Sequence, residues 1–215
     1  MNKNTQERKQ NPEEMDRIAK TLFAPVYPVL AECFLAGFGL REGTCLDIGS
    51  GPGHLAMAVA QASAMKVYAL DRSTDVQNII GKNLCNAGLE GKVIPLAGDV
   101  REIPLPDASV DLVVSRGSVY FWDDLHAAFC ETARVLRPGG MAFIGGGFGN
   151  ADLRDRIVSA MAKRKPGWED FYKANMSKET TDRFCQALSG IEGVTSNLLN
   201  DDSGVWVVMR REAPP

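Results

Sequence analysis

From about residue 44 onward, short apolar runs alternate along the chain with longer amphipathic segments. Residues 44–48 are apolar and partly β-branched, which is typical of a strand buried on both faces of a parallel sheet. Residues 74–87 carry apolar side chains at helical spacing, and Gly88 follows as a helix stop. Further strands are predicted at 66–70, 92–97, 109–115, 141–144, 195–199 and 205–210. Further helices are predicted at 55–62, 123–136 and from 150 or 151 to about 163.

This order of elements predicts an α/β fold. We expect a doubly wound, seven-stranded sheet, mostly parallel with a C-terminal antiparallel strand, and helices on both faces. Residues 137–140 are predicted to close a helix and turn into the fifth strand, and residues 200–204 to join the last two strands as a hairpin.

The N-terminal part is predicted to be helical. Asn11 is a capping residue, with proline and two acids after it, and residues 22–28 interrupt this helix before a second one. We expect a disordered polar tail at 1–10 and one domain over 11–215. In that domain, residues 11–40 would form a helical N-terminal segment and residues 41–215 the core.

The segment after the first strand carries the chemistry. Asp47 ends that strand, and Gly49, Gly51 and Gly53 follow at alternate positions, where a backbone without Cβ atoms lets a ligand approach closely. A strand, a glycine turn and a helix form the ligand crevice of open α/β sheets. The dinucleotide fingerprint requires a glycine where this chain has His54.

The pattern Asp-x-Gly-x-Gly-x-Gly instead resembles motif I of the class I, Rossmann-like S-adenosylmethionine-dependent methyltransferases, of the small-molecule type. The resemblance covers roughly residues 40–145. It implies S-adenosyl-L-methionine as the cofactor, with Asp47 near its amino-acid end and the backbone of Gly49, Ser50 and Gly51 beside it.

The other strand ends fit the same ligand. Asp71 ends the second strand, where a carboxylate can accept hydrogen bonds from ribose hydroxyls. Asp99 ends the third strand, where it can accept from the adenine amino group. In the resembling family, residues next to these acids line the adenine, and the fourth strand ends beside the methionine portion. In relatives the N-terminal segment, here residues 11–40, folds over the cofactor as a lid, and Tyr27 is the candidate for contact with it. The expected cofactor-binding residues are Tyr27, Asp47, Gly49, Ser50, Gly51, Asp71, Arg72, Ser73, Gly98, Asp99, Val100, Ser115 and Arg116.

Several of these residues have a plainer interpretation. Asp71 could cap the following helix, although Ser73 or Thr74 would do so better, and Asp99 could cap a turn. His54 lies in a first helical turn, where packing or cofactor contact is commoner than catalysis. His126 and the basic run 163–165 are expected to be solvated.

The methyl acceptor is less well defined. Nucleic-acid amino methyltransferases of this class usually show Asn/Asp-Pro-Pro-Tyr/Phe after the fourth strand. This chain has Ser115-Arg116-Gly117-Ser118 there, so a DNA or RNA base amine is not expected as the acceptor. The aromatic triplet 120–122 is expected either to line the acceptor pocket, through Tyr120 above all, or to pack beneath the next helix. Arg116 needs an anionic partner, which could be the cofactor carboxylate, Asp47 or an acidic substrate. The glycines of segment 145–150 permit close backbone approach or motion. A flexible linker is the plainer interpretation, but their place at the carboxyl edge of the sheet favours a position beside the acceptor pocket.

Composition narrows the partners. The 215 residues have a net charge of −3, which provides no general attraction to nucleic acid or to an anionic membrane. The five cysteines are scattered without a Cys-x-x-Cys pair, so neither a disulfide framework nor a metal site is expected. The polar N-terminus does not resemble a secretory signal, and a cytoplasmic monomer or homodimer is expected.

The resulting hypothesis is methyl transfer to a small-molecule acceptor by direct in-line displacement. Because the methyl donor is already activated, no catalytic residue is required, and none is assigned. For a hydroxyl or thiol acceptor, Tyr27, His54 and Tyr120 are the groups to test. The alternatives are a cofactor-binding sensor or partner subunit without turnover, and methylation of a protein.

Overall fold

The computed structural model describes residues 11–213, so the tail predicted at 1–10 lies outside the described residues. The helices are α1 Pro12–Thr21, α2 Val26–Phe38, α3 His54–Ala62, α4 Thr74–Ala87, α5 Leu125–Val135, α6 Ala151–Arg164, α7 Trp168–Asn175 and α8 Lys178–Leu188, with a short 3-10 turn at Val119–Phe121. The strands are β1 Thr44–Ile48, β2 Lys66–Asp71, β3 Val93–Ala97, β4 Val110–Arg116, β5 Leu136–Gly147, β6 Val194–Asp201 and β7 Gly204–Arg211.

The strands form one sheet in the order β3-β2-β1-β4-β5-β7-β6. Strands β1 to β5 are parallel, and β7 runs antiparallel to both of its neighbours, β5 and β6. The predicted fold is therefore confirmed. Because β1, β2 and β4 are adjacent and parallel, their carboxyl ends meet at one edge of the sheet.

Helices cover both faces of the sheet, and the core has two parts. Neighbouring strand residues point to opposite sides: Cys45 packs with α2 and α3, whereas Leu46 packs with α5 and α8. All of these contacts are made by buried side chains, among them Leu30 of α2 and Phe129 of α5. The sheet is thus buried on both faces, as the near-continuous apolar strands predict.

Local signals set several boundaries correctly. The Asn11 side chain accepts from the Glu13 N–H at the start of α1. Ser73 caps α4, and Gly88 ends it in the left-handed conformation with φ +64°. The plainer capping role considered for Asp71 thus falls to Ser73.

The predicted fifth strand, residues 141–144, was too short at both ends. Residues 137–140 were expected to turn into this strand, but they lie within β5, where its register shifts between Val110 and Leu112 of β4. The glycines at 145–147 were expected to permit close backbone approach or motion, and they pair with β7. A Cβ on Gly145 would lie 2.0 Å from the Val205 carbonyl oxygen, so glycine is needed here for close strand approach.

The C-terminal part of the chain also differs from the prediction in one loop and two helices. The hairpin loop is shorter than predicted, because β6 ends at Asp201 and β7 begins at Gly204. Helices α7 and α8 were not predicted. Helix α7 has only eight residues and no fully buried side chain, so its sequence pattern is weak.

None of the described helices is alone long and apolar enough to cross a membrane; α1 and α2 meet that test only as a pair bent by 80°.

Candidate functional site

The turn between β1 and α3 has the backbone that its glycines predict. Gly49, Gly51 and Gly53 have φ values of +66°, +53° and +85°, a region that favours glycine. Two of them also make room for neighbours, because a Cβ on Gly49 would lie 2.3 Å from Ser118 and a Cβ on Gly53 would lie 2.5 Å from Ile80. Gly51 is more open, with only the Met15 methyl within 4 Å. We refer to residues 49–53 as the glycine loop.

Two carboxylates flank the glycine loop. Asp47 is buried, and its Oδ2 accepts from the Ala56 N–H at 3.0 Å. Burial raises the pKa of Asp47 to about 7, and nearby Asp71 adds to the increase. The two oxygens of Asp71 accept from the N–H groups of Gly51 and Ser73, both at 2.9 Å. Asp71 therefore holds the glycine loop against the end of β2.

One side-chain hydroxyl of the glycine loop has no hydrogen-bond partner among the described residues. The Ser50 Oγ is buried and has no hydrogen-bond partner among residues 11–213. Its backbone N–H donates to the Leu70 carbonyl at 3.0 Å, so the residue itself is fixed in position. A buried hydroxyl without a partner costs free energy unless a ligand supplies one.

The end of β3 is partly exposed. Asp99 accepts three hydrogen bonds from Arg101, two from its guanidinium and one from its backbone N–H, and these lower the pKa of Asp99 to about 2. Asp99 therefore does cap a turn, in addition to the adenine contact predicted for it. Gly98 and Val100 lie beside it and are partly buried, whereas Arg72 is exposed and lies 3.8 Å from Asp123.

The side chain of Ser115 is already in use by the protein. It is fully buried, donates to the Ile48 carbonyl at 2.8 Å and contacts the Ser118 hydroxyl at 2.6 Å. Ser115 therefore joins the carboxyl ends of β4 and β1, and any cofactor contact would come from its neighbours or its backbone.

The three side chains of the aromatic triplet lie in different surroundings. Trp122 packs edge-on against Phe129 of α5, with ring centroids 6.1 Å apart. Tyr120 turns toward β5 and α8, where its ring lies 6.1 Å from that of Phe184. Phe121 remains half exposed and stacks on Phe171 of α7.

Helix α1 is tied to the glycine loop through Asp16. Asp16 Oδ1 accepts from Asn83 Nδ2 and pairs with His54 Nε2, both at 2.8 Å, and Asn83 also donates to the Pro52 carbonyl. His54 stacks on Tyr27 with ring centroids 5.5 Å apart, and burial lowers the pKa of His54. His54 thus has the packing role expected of it, and Tyr27 lies next to the helix that follows the glycine loop.

The sequence did not predict several residues that pack around the glycine loop and around Phe148. Asp16 and Asn83 carry no motif, and only their meeting across helices gives them a role. Tyr172 and Trp168 of α7 stack with centroids 5.7 Å apart, and Tyr172 also lies 5.8 Å from Phe148. The aromatic spacing 168/171/172 was the available signal for this helix. As expected, His126 and the basic run 163–165 are exposed.

Two open cavities of about 510 and 590 Å³ lie between the α1–α2 region and α6. They are lined by Leu22, Ala160 and Lys163 among others and do not reach the glycine loop. In residues 11–213, no group of three or more His, Cys, Asp or Glu side chains is placed to hold a metal ion.

Comparisons with known proteins agree with this site. The family model described as "Methyltransferase domain" matches residues 46–144. The crystal structure of a protein assigned as an S-adenosyl-L-methionine-dependent methyltransferase from Methanococcus maripaludis is 43% identical, with a TM-score of 0.92, over 95% of this chain and 93% of that one.

Two curated relatives match shorter stretches. A malonyl-[acyl-carrier protein] O-methyltransferase of Methylococcus capsulatus is 34% identical over 131 residues, which are 59% of this chain and 46% of the relative. A histone-arginine methyltransferase of Aedes aegypti is 32% identical over 137 residues, which are 63% of this chain and 22% of the relative. The chain thus spans less than half the length of these curated relatives.

The chain belongs to the class I, Rossmann-like S-adenosylmethionine-dependent methyltransferases. The residues of the glycine loop fit that cofactor. Two carboxyl groups, Asp47 and Asp71, flank the glycine loop, and they suit a ligand with an ammonium, a sulfonium and ribose hydroxyls. The unpartnered Ser50 hydroxyl offers a further polar contact.

Proposed function

We propose that this protein transfers the methyl group of S-adenosylmethionine to a small-molecule acceptor. The observation that carries the proposal is the closure of the site beyond β4 and β5. There Phe148 packs against Phe23 from the α1–α2 connection, with centroids 6.1 Å apart, and against Tyr172 of α7. An acceptor enclosed by aromatic side chains on two sides must be small or present a slender end.

The chain's own residues would position the reactants rather than donate or remove protons. The bound cofactor supplies a methyl group already activated on a sulfonium. Asp71 and the glycine loop backbone would hold the nucleoside, and the aromatic side chains would exclude water from the acceptor. Burial raises the pKa of both Tyr27 and Tyr120, so neither is an ionised base at neutral pH.

The acceptor class is tested with labelled cofactor. Protein and a cell extract are incubated with methyl-labelled S-adenosylmethionine, and the small-molecule and protein fractions are separated by ultrafiltration. We expect the label in the small-molecule fraction. Label confined to protein would overturn the proposal in favour of protein methylation, and binding without any transfer would identify a sensor or partner subunit.

The cofactor assignment is tested through Asp71. Asp71→Ala should weaken S-adenosylhomocysteine binding by about tenfold or more, because it removes a carboxylate acceptor and frees the glycine loop. Asp75→Ala, on an exposed position of the first turn of α4, is the matched control and should bind as the wild type does. Calorimetry measures both, and equal affinity of the two variants would refute the assignment.

We also propose that the enzyme acts in the cytoplasm. The support is the scatter of its five cysteines, which are all free thiols in the described structure. Fractionation of cells that produce the full chain tests this.

A further inference from the structure

Arg116 is a cation that makes no ion pair within residues 11–213. It is mostly buried at the end of β4, and its Nε donates to the Gly147 carbonyl at 2.9 Å. Its guanidinium carbon lies 4.6 Å from the ring centre of Phe23, 5.2 Å from that of Phe148 and 5.8 Å from that of Tyr27. Aromatic faces attract a guanidinium but leave its N–H groups free to bind an anion.

No carboxylate among residues 11–213 lies within ion-pair distance of Arg116. Asp47, one of the partners considered from the sequence, instead accepts from Ala56. Both Nη atoms of Arg116 lack an acceptor in the same part of the chain. Arg116 is only partly buried, so its Nη atoms are accessible, and an anion bound to them would stabilise the charge.

Tyr120 supplies an independent second donor. Its hydroxyl is buried and has no hydrogen-bond partner among the described residues. It lies beside Gly146, where a Cβ would be 2.6 Å from the hydroxyl oxygen. Burial raises the pKa of Tyr120, and Arg116 is close enough to oppose that increase. The hydroxyl therefore keeps its proton and can donate a hydrogen bond to an anion that is bound next to Arg116.

The position of this pair favours the acceptor over the cofactor. Strand β4 lies between β1 and β5, and the glycine loop follows β1. Arg116 bonds to Gly147 and lies over Phe148, and Tyr120 abuts Gly146, so both donors are directed toward the end of β5. Arg116 thus lies in the region enclosed by α7 and the α1–α2 connection, and Tyr120 adjoins the same strand end from the side of α8.

We propose that Arg116 and Tyr120 bind an anionic group, a carboxylate or a phosphate, of the methyl acceptor. The inference rests on the proposed function and defines its substrate class: a small organic anion with an apolar portion that contacts the aromatic side chains. A guanidinium binds such groups through two parallel hydrogen bonds, and the tyrosine hydroxyl adds a third.

The cofactor carries a carboxylate of the same chemistry, so one arm of the test separates the two sources. Two nucleosides are titrated: S-adenosylhomocysteine, and 5′-methylthioadenosine, which lacks the amino-acid carboxylate. The proteins are the wild type, Arg116→Gln and, as the control, Arg183→Gln at an exposed position of α8. For each nucleoside, we expect the dissociation constants of the two variants to be within about twofold of the wild-type value. Selective loss of S-adenosylhomocysteine binding by Arg116→Gln would assign Arg116 to the cofactor and overturn the proposal.

The second arm measures anion binding directly. Protein saturated with S-adenosylhomocysteine is titrated with benzoate, with inorganic phosphate and with the neutral benzamide. We expect the wild type and Arg183→Gln to bind at least one anion about tenfold or more tightly than benzamide. Arg116→Gln should lose this preference, and Tyr120→Phe should reduce it several-fold, by the loss of one hydrogen bond.

Equal or absent binding of the anions and benzamide by the wild type would overturn the proposal. So would an unchanged preference in both Arg116→Gln and Tyr120→Phe. Thermal unfolding confirms that each variant is folded, and Arg116→Lys, which retains the charge without the paired donors, replaces Arg116→Gln if the latter is not. These titrations need no turnover, so they can fail while transfer to small molecules succeeds, and conversely.

Discussion

Asp47 is the most deeply buried carboxyl of the site. It has one hydrogen bond, from the Ala56 N–H, and that single donor does not offset the loss of water around the charge. The group consequently keeps its proton up to about pH 7 in the folded protein. A cationic ligand nearby would favour the ionised form, so the site is arranged to hold a charge that the free protein disfavours.

We expect Asp47→Asn to remove a pH dependence of stability. Because the folded carboxyl titrates near pH 7 and the unfolded one near 3.8, the wild type loses free energy of unfolding as the pH rises across this interval. The cost of the charge above pH 7 is on the order of 4 kcal/mol. Asparagine retains an acceptor for Ala56 without the charge, so the variant should be the more stable one at pH 8.

Urea unfolding of the cofactor-free protein at pH 5, 6, 7 and 8 measures this effect. The matched control is Asp75→Asn, at an exposed position, which should follow the wild type. Parallel pH profiles for the wild type and Asp47→Asn would contradict the expectation.

At the scale of elements, the two N-terminal helices differ in how they are held. Helix α2 places Leu30, Ala31 and Phe34 in the core, so it is part of the packed structure. Helix α1 fully buries only Ala19, and polar contacts of Asp16 with His54 and Asn83 and of Glu14 with Arg164 also hold it. Of the segment 11–40 predicted to be a lid, α1 is therefore the part that can open at low cost.

Asp16→Ala should loosen α1. Loss of its hydrogen bonds to His54 and Asn83 should cost about 1–3 kcal/mol locally, because one partner is charged. We expect faster amide hydrogen exchange over residues 12–21 and several-fold weaker S-adenosylhomocysteine binding. Glu13→Ala, exposed on the same helix, is the control, and equal exchange in the two variants would show that Asp16 does not hold α1.

How well an element could be predicted depended on how much of its stabilisation is local. Helix α4 was predicted to the residue, because Ser73, Gly88 and its apolar spacing all act within the segment. Helix α7 was not predicted, because it is stabilised by Phe121 and Phe148, which come from distant parts of the chain. A pattern confined to eight residues does not contain those partners.

At the scale of the whole molecule, the antiparallel strand β7 completes the sheet by lying very close to β5. Gly145 and Gly147 allow this approach, since a Cβ on either would lie 2.0 Å from a carbonyl oxygen, of Val205 and of Ser203 respectively. The end of β5 is in turn what brings Gly147 and Phe148 to Arg116. The geometry of the proposed acceptor site thus depends on the packing of β5 against β7.

Gly145→Ala should destabilise the protein by more than about 2 kcal/mol, because backbone atoms cannot move aside as a side chain can. Gly81→Ala is the matched control. Gly81 lies within α4 with open space around it, and alanine there should stabilise by about 0.5–1 kcal/mol. Thermal unfolding measures both, and a stable Gly145→Ala variant would show that β7 can shift away from β5.

The sequence by itself determined the order of the seven strands, the nucleotide-type loop and the carboxylates Asp47 and Asp71, because hydrophobic period and glycine spacing are local properties. Only the tertiary structure decided what surrounds Arg116 and Tyr120, which role each residue of the aromatic triplet takes, and that Asp16 holds α1. These features depend on contacts between residues far apart in the chain, whose distances follow from the packed sheet and its covering helices and leave no periodic signal in the sequence.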